Sequence, residues 1–285
     1  MTPLFGFDSY APREVAELVE KVGIAKARLP FLQTWMLGML AGAFIGLGAL
    51  YATMVASDAS LGFAASRIAA GVCFSLGLLM VVVAGAELFT GNNLLAMACA
   101  AGKISALELV RNWVLVGVAN FAGAAGLAGL VYLSGHWEMN GGAVGQAYLK
   151  IALYKAQLDP WRAFFLGVLC NILVCLAVWM AMAGRTVVDK LVAIVFPVSA
   201  FVAAGFEHSI ANMYYFPMAL LLKWGGAPLP AGGAEGISIG AMFGNLGPVI
   251  AGNLIGGSVL VGLVYWAIYL RVPNAVGGSG DGSAR

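Results

Sequence analysis

"GFEHSIANM", residues 205–213, sits inside one of the most apolar stretches of the chain, with Val202 to Ala204 before it and Tyr214 to Leu222 after it. A glutamate, a histidine, a serine and an asparagine stand together where charge is otherwise avoided. A second polar cluster, "GAELFTGNN" at residues 85–93, interrupts another apolar run. The two share the frame Gly-x-Glu-x4-Asn, through Gly85, Glu87 and Asn92 and through Gly205, Glu207 and Asn212. Each run is longer than one membrane crossing needs. Polar, glycine-bearing backbone is tolerated at membrane depth only where it lines a cavity or is covered by protein. Both runs are therefore read as helices broken by loops.

The surrounding sequence agrees. Only 10% of the 285 residues are charged and 61% are hydrophobic, whereas about 25% of residues are charged in soluble domains. Apolar segments recur near Leu32 to Met54, Ser66 to Ala100, Trp113 to Leu133, Ala163 to Ala183, Leu191 to Leu222 and Ala241 to Leu270. Six membrane segments follow, and their recurrence along the chain excludes a cleaved signal peptide as the explanation. A formal charge of +2, with no basic run, gives no footing for nucleic acid. Cys73, Cys99, Cys170 and Cys175 lie in apolar segments at spacings that match no zinc pattern, so they are read as packing residues. No metal site and no cofactor is expected.

With a cytoplasmic N-terminus, the inner side holds Arg13, Lys21, Lys26, Arg28, Lys103, Arg111, Arg185, Lys190, Arg271 and Arg285. The outer side holds Arg67, Lys150, Lys155, Arg162 and Lys223. The excess inside favours that orientation. Three regions are expected: a cytoplasmic amphipathic helix within residues 1–30, a transmembrane domain at 31–272, and a flexible Gly/Ser-rich tail at 273–285.

An internal repeat sets the architecture. "NFAGAAGLAGLVY" (120–132) and "NLIGGSVLVGLVY" (253–265) share Asn-x2-Gly-x5-Gly-Leu-Val-Tyr, and Leu37-Gly38 pairs weakly with Leu166-Gly167. Each half, about 31–135 and 160–272, contributes three crossings, so the second half enters the membrane from the opposite side. The expected fold is an all-α, aquaporin-like 3+3 inverted repeat with its second and fifth helices broken, and a site near mid-depth. Gly38, Gly42 and Gly46 at four-residue steps are read as close helix-packing positions.

Glu87 and Glu207 are the carboxylates that fall deep in apolar runs. Their equivalent positions favour a loop-stabilising role, with Asn92 and Asn212, over direct chemistry. His208 has no counterpart in the first half, where Leu88 stands, which favours a functional role for an imidazole able to exchange a proton near neutral pH. Helix breaks present amide donors and the positive ends of half-helices, which suits an anion. Thr90 and Ser209 add hydroxyls. Leu78, Leu88, Phe89 and Phe201 are bulky enough to stall a bare ion while a neutral acid passes. Lys155 could gather anions at the entrance or could be a solvated loop lysine.

"LFTGNN" and "GFEHSIANM" resemble the two signature loops of the formate/nitrite transporter family, and "CFSLGL", "NILVCLAVWM", "GNLIGG" and "YWAIYLR" extend the resemblance from about Ala16 to Arg271. The resemblance implies a homopentamer with one path per subunit for small monovalent anions or their acids, in the bacterial inner membrane with both termini cytoplasmic. It makes Leu88, Phe89 and Thr90 the gating loop and His208 the central histidine. Asn171 and Asn253 become pore asparagines, Leu78 and Phe201 constriction residues, and Lys155 the vestibule lysine. The tripeptide Gly91-Asn92-Asn93 departs from that of the best-known formate channels. Phe206, where nitrite members tend to carry tyrosine, and the "YWAIYLR" ending favour formate over nitrite, with hydrosulfide left open.

Other classes fit less well. Paired Asn-Pro-Ala boxes are absent, and no arginine is expected within a span to build a water or glycerol filter. An ammonium path would call for two stacked histidines. An enzyme would need a metal cluster, a cofactor motif or a nucleophile with its base, and none is evident.

Overall fold

The computed structural model describes residues 8–228 and 233–271, so the expected tail at 273–285 lies outside the described residues. Helix α1 (Pro12–Ala27) precedes α2 (Phe31–Ala56). The second crossing is α3 (Phe63–Met80), continued by a π-helical turn at Val81–Gly85. It breaks in extended backbone at Ala86 and resumes as a 3-10 turn at Gly91–Leu95 and α4 (Ala96–Ala100). Then come α5 (Ala106–Leu133), α6 (Ala143–Ala156) and α7 (Pro160–Ala183). The fifth crossing is α8 (Val187–Ala204), a break at residues 205–208, and α9 (Ser209–Trp224). Helix α10 (Ile239–Leu254), a π-helical stretch at Ile255–Leu263 and α11 (Val264–Tyr269) complete the sixth. No strand occurs among the described residues, and six helices are long and apolar enough to cross a membrane.

Both breaks turn on a glycine with positive φ, Gly85 at 84° and Gly205 at 77°, a region that a Cβ disfavours. The chain then extends and restarts a helix, leaving backbone groups that must find partners inside protein. Side chains placed equivalently in the two halves supply them. Asn120 Oδ1 accepts from the Phe89 N–H (2.9 Å), and its amide donates to the carbonyls of Gly38 (2.7 Å) and Glu87 (2.9 Å). Asn253 Oδ1 accepts from the Ser209 N–H (3.0 Å), and its amide donates to the carbonyls of Gly167 (2.8 Å) and Glu207 (3.0 Å). The N–H of Glu87 reaches the Leu37 carbonyl and that of Glu207 the Leu166 carbonyl, both at 3.2 Å. Each asparagine bolts its break to the first and third crossings of its own half.

The pattern also reaches α1 and α6. Lys26 and Lys155 sit at corresponding places, and the Asn112 and Asn245 amides donate to their backbone carbonyls at 3.2 and 3.0 Å. The structural repeat therefore starts ahead of residues 31 and 160, because a helix before the first crossing carries part of each network. Helix α1 turns an apolar face to the protein. Val15, Ala16 and Val19 are buried in a cluster with Leu94, Met97, Cys175 and Trp179.

Tight helix contacts complete the bundle. A Cβ on Gly42 would collide with the Asn120 carbonyl, and one on Gly38 would come within 2.6 Å of the Ala119 side chain, so α2 lies directly on α5.

Candidate functional site

The two breaks meet at a hydrogen bond. His208 is the N-cap of α9, and its Nδ1 accepts the Ala211 N–H at 3.2 Å. A neutral imidazole whose Nδ1 accepts carries its proton on Nε2. That Nε2–H faces Thr90 Oγ1 at 3.0 Å and donates to it, so the threonine hydroxyl proton is available for a further acceptor. Thr90 is fully buried and His208 nearly so. Phe201 stacks on the imidazole at 5.8 Å between centroids, and Phe74 meets it edge-on at 6.4 Å.

A cavity approaches this contact from each side. The one beside α1, about 360 Å³, runs past Lys26, Glu87 and Asn92 to Leu78, Val81 and Leu88. The one beside α6, about 470 Å³, runs past Lys150, Lys155 and Glu207 to Phe74, Phe201 and His208. Apolar side chains close both floors, and the Thr90–His208 pair stands between them.

Each cavity wall carries the same ion pair. Lys26 Nζ lies 3.0 Å from Glu87 Oε1, and Lys155 Nζ lies 2.7 Å from Glu207 Oε1. The other carboxylate oxygen accepts from Asn92 or Asn212, each at 2.7 Å, and these amides also donate to Asn112 or Asn245. Charge buried in this way is compensated on every oxygen. The halves then differ. Lys26 also donates to Asn92 Oδ1 at 3.0 Å, whereas Asn212 Oδ1 is buried with no partner among the described residues.

The residues singled out in the sequence fall into three groups. Leu78 and Leu88 line the α1-side cavity and Phe201 and His208 the α6-side one, with Thr90 fully buried against His208, and Lys155, Glu87, Glu207, Asn92 and Asn212 form the networks along the walls. Phe89 is buried, is not among the residues lining either cavity, and lies against Gly117 of α5. Asn253 commits both ends of its amide to the fifth-helix break. The Asn171 amide nitrogen lies within hydrogen-bond reach of the Thr90 carbonyl (3.2 Å), Asn93 Oδ1 (2.7 Å) and the Asn253 carbonyl (2.7 Å), and its own Oδ1 is buried with no partner among the described residues.

Lys26, Asn112 and Asn245 escaped the sequence reading, although a signal was present. Lys-x10-Leu-Gly recurs at Lys26 and Lys155, and Asn-x7-Asn recurs at Asn112 and Asn245. One expectation is corrected. Arg67 lies within α3, a turn inside the second crossing, and lines the α6-side cavity, so a span does carry a cavity-facing arginine.

Comparison with known proteins places this geometry. The family described as Formate/nitrite transporter matches residues 13–267. Formate channel FocA of Escherichia coli (strain K12) is 39% identical over 93% of this chain and 96% of its own length. Formate channel FocA of Haemophilus influenzae is 36% identical over 88% of this chain and 92% of its own. A solved "Pentameric formate channel with formate bound" superposes with a TM-score of 0.78 at 38% identity, covering 85% of this chain and 98% of that one. A solved "FNT family ion channel" gives 0.79 at 29% identity, covering 90% and 98%. The chain is thus an integral membrane protein that belongs to the formate/nitrite transporter family.

Proposed function

We propose that the protein conducts formate across the bacterial inner membrane as a homopentamer with one path per subunit, both termini cytoplasmic, and that it catalyses no reaction. The observation that carries this reading is the Thr90–His208 contact sealed between two apolar floors. A lone charge cannot be held there cheaply. An anion gathered in a cavity therefore passes in its neutral form. Formate takes one proton from vestibule water beside the histidine, crosses as formic acid, and returns the proton on the other side. While neutral, His208 serves as a hydrogen-bond donor through Nε2–H, and Thr90 can turn its hydroxyl to the passing acid.

The positive-inside distribution supports the orientation, with the α1 cavity facing the cytoplasm. Relatives named as formate channels, one of them pentameric with formate bound, support the substrate and the assembly. The transmembrane unit spans 31–272, with α1 docked beneath it as part of the inner vestibule wall.

Uptake by proteoliposomes of formate, nitrite, hydrosulfide, ammonium and glycerol tests the reading. Formate should be taken up fastest, with nitrite competing and with ammonium and glycerol excluded. Preferential nitrite or hydrosulfide uptake would reassign the substrate, and glycerol passage would defeat the reading. His208→Ala should change the pH dependence of formate flux, and wild-type flux at every pH would remove the histidine from the mechanism.

A further inference from the structure

The two cavities are alike in their Lys–Glu–Asn walls and unlike in their cations. Beside Glu207, the α6-side cavity is lined by Arg67, Lys150 and Lys155, while Lys26 alone faces Glu87 in the other. Both Lys155 and Lys26 are neutralised by their glutamates. Arg67 and Lys150 have no acidic partner among the described residues.

Arg67 is also held in place. Its Nε–H donates to the Ala203 carbonyl at 2.9 Å, satisfying one of the free carbonyls at the end of α8. Its Nη2 lies over the break itself, where a Cβ on Gly205 would come within 2.6 Å of it. The corresponding Gly85 has nothing within 4 Å of the same point. In the frame that sets Glu87 on Glu207, Arg67 falls on Val187, so the opposite mouth has no equivalent guanidinium. One edge of the fork is anchored to backbone and the remaining N–H groups are left to the cavity. That is the donor geometry that suits a planar anion with two oxygens.

We propose that Arg67, with Lys150 supplying further positive field, forms a docking site for monovalent carboxylates and similar planar oxyanions at the α6-side mouth only. The two mouths then differ in half-saturation although the passive path between them favours neither direction at equilibrium. This deepens the proposed formate function and uses its substrate class.

The test is binding and sided flux on the purified full-length protein. Sodium ¹³C-formate binding is followed by NMR line broadening in detergent. Flux is measured in proteoliposomes of defined orientation, loaded from each side. Arg67→Gln should weaken formate binding and raise the α6-side half-saturation about tenfold, the loss of one charge-assisted pair, with the α1-side value unchanged. Unchanged binding, or an equal rise on both sides, overturns the proposal. Should Arg67→Gln fail to assemble, Arg67→Lys is carried through the same measurements. It keeps the charge and loses the fork, so formate affinity should fall while chloride affinity does not, and unaltered formate affinity overturns the proposal. Wild-type protein that binds formate through Arg67 without conducting it would refute the transport reading and leave the docking site standing. Wild-type protein that binds no formate refutes the docking site.

Discussion

Lys155 and Glu207 form an ion pair whose side chains are 10% and 1% exposed, so neither charge can turn to bulk water alone. Removing only the lysine strands a buried carboxylate beside Asn212. Lys155→Met is expected to destabilise the folded protein by about 3 kcal/mol, read as a lower thermal midpoint of the purified assembly. Lys155→Met with Glu207→Gln should recover most of that loss, because the neutral amide oxygen still accepts from Asn212. If the single and double variants melt together, the pair is not what stabilises the break. The chain's second histidine provides a control. Burial holds His136, in the connection after α5, below the ordinary imidazole range. Its neutral form is favoured in the fold, so its contribution to stability is complete above the unfolded-state pKa and is lost as pH falls through that value toward the folded one. His136→Ala should leave the pH profile of formate flux unchanged, which ties any profile change in the His208 variant to the central contact.

Each break is an element built from its staple. Asn120→Ala would orphan the Phe89 N–H and the Glu87 carbonyl and remove the cross-helix donor from the Gly38 carbonyl, and each buried orphan costs about 1–3 kcal/mol. Asn253→Ala would do the same at Ser209, Gly167 and Glu207. Both variants should lose thermal stability by similar amounts, and a large loss in one alone would break the equivalence of the halves. Much of this was legible beforehand. Gly-x-Glu-x4-Asn gave away the breaks because those positions are constrained by backbone geometry and hydrogen bonding, whereas Asn-x2-Gly marked the repeat without showing that Asn120 and Asn253 staple the breaks, since their partners are backbone groups far away in sequence. The role of Lys26 was hidden because a lysine near the end of an amphipathic helix looks like a solvated one. Only docking of α1 on Met97 and Trp179 brings its ammonium to Glu87. Helix α6 was not resolved from the loop around it, its 14 residues being too short and too mixed in polarity to register as a crossing.

At the scale of the molecule, two half-built crossings enter from opposite sides and stop against each other. The lateral surface of the bundle stays apolar, with Leu107, Val110, Val114 and Val118 exposed along α5 and Val188, Val192 and Phe196 along α8. Lipid or neighbouring subunits must cover these faces. The proposed pentamer is checked by mass photometry in nanodiscs, where five copies are expected and a monomer would contradict it. The central claim is that the Thr90–His208 contact passes a neutral acid and no naked charge. It is tested most directly by recording formate uptake, internal pH and membrane current together in one proteoliposome preparation. The account predicts one proton entering with each formate and no net current. Formate flux matched by current, with no internal acidification, would contradict it.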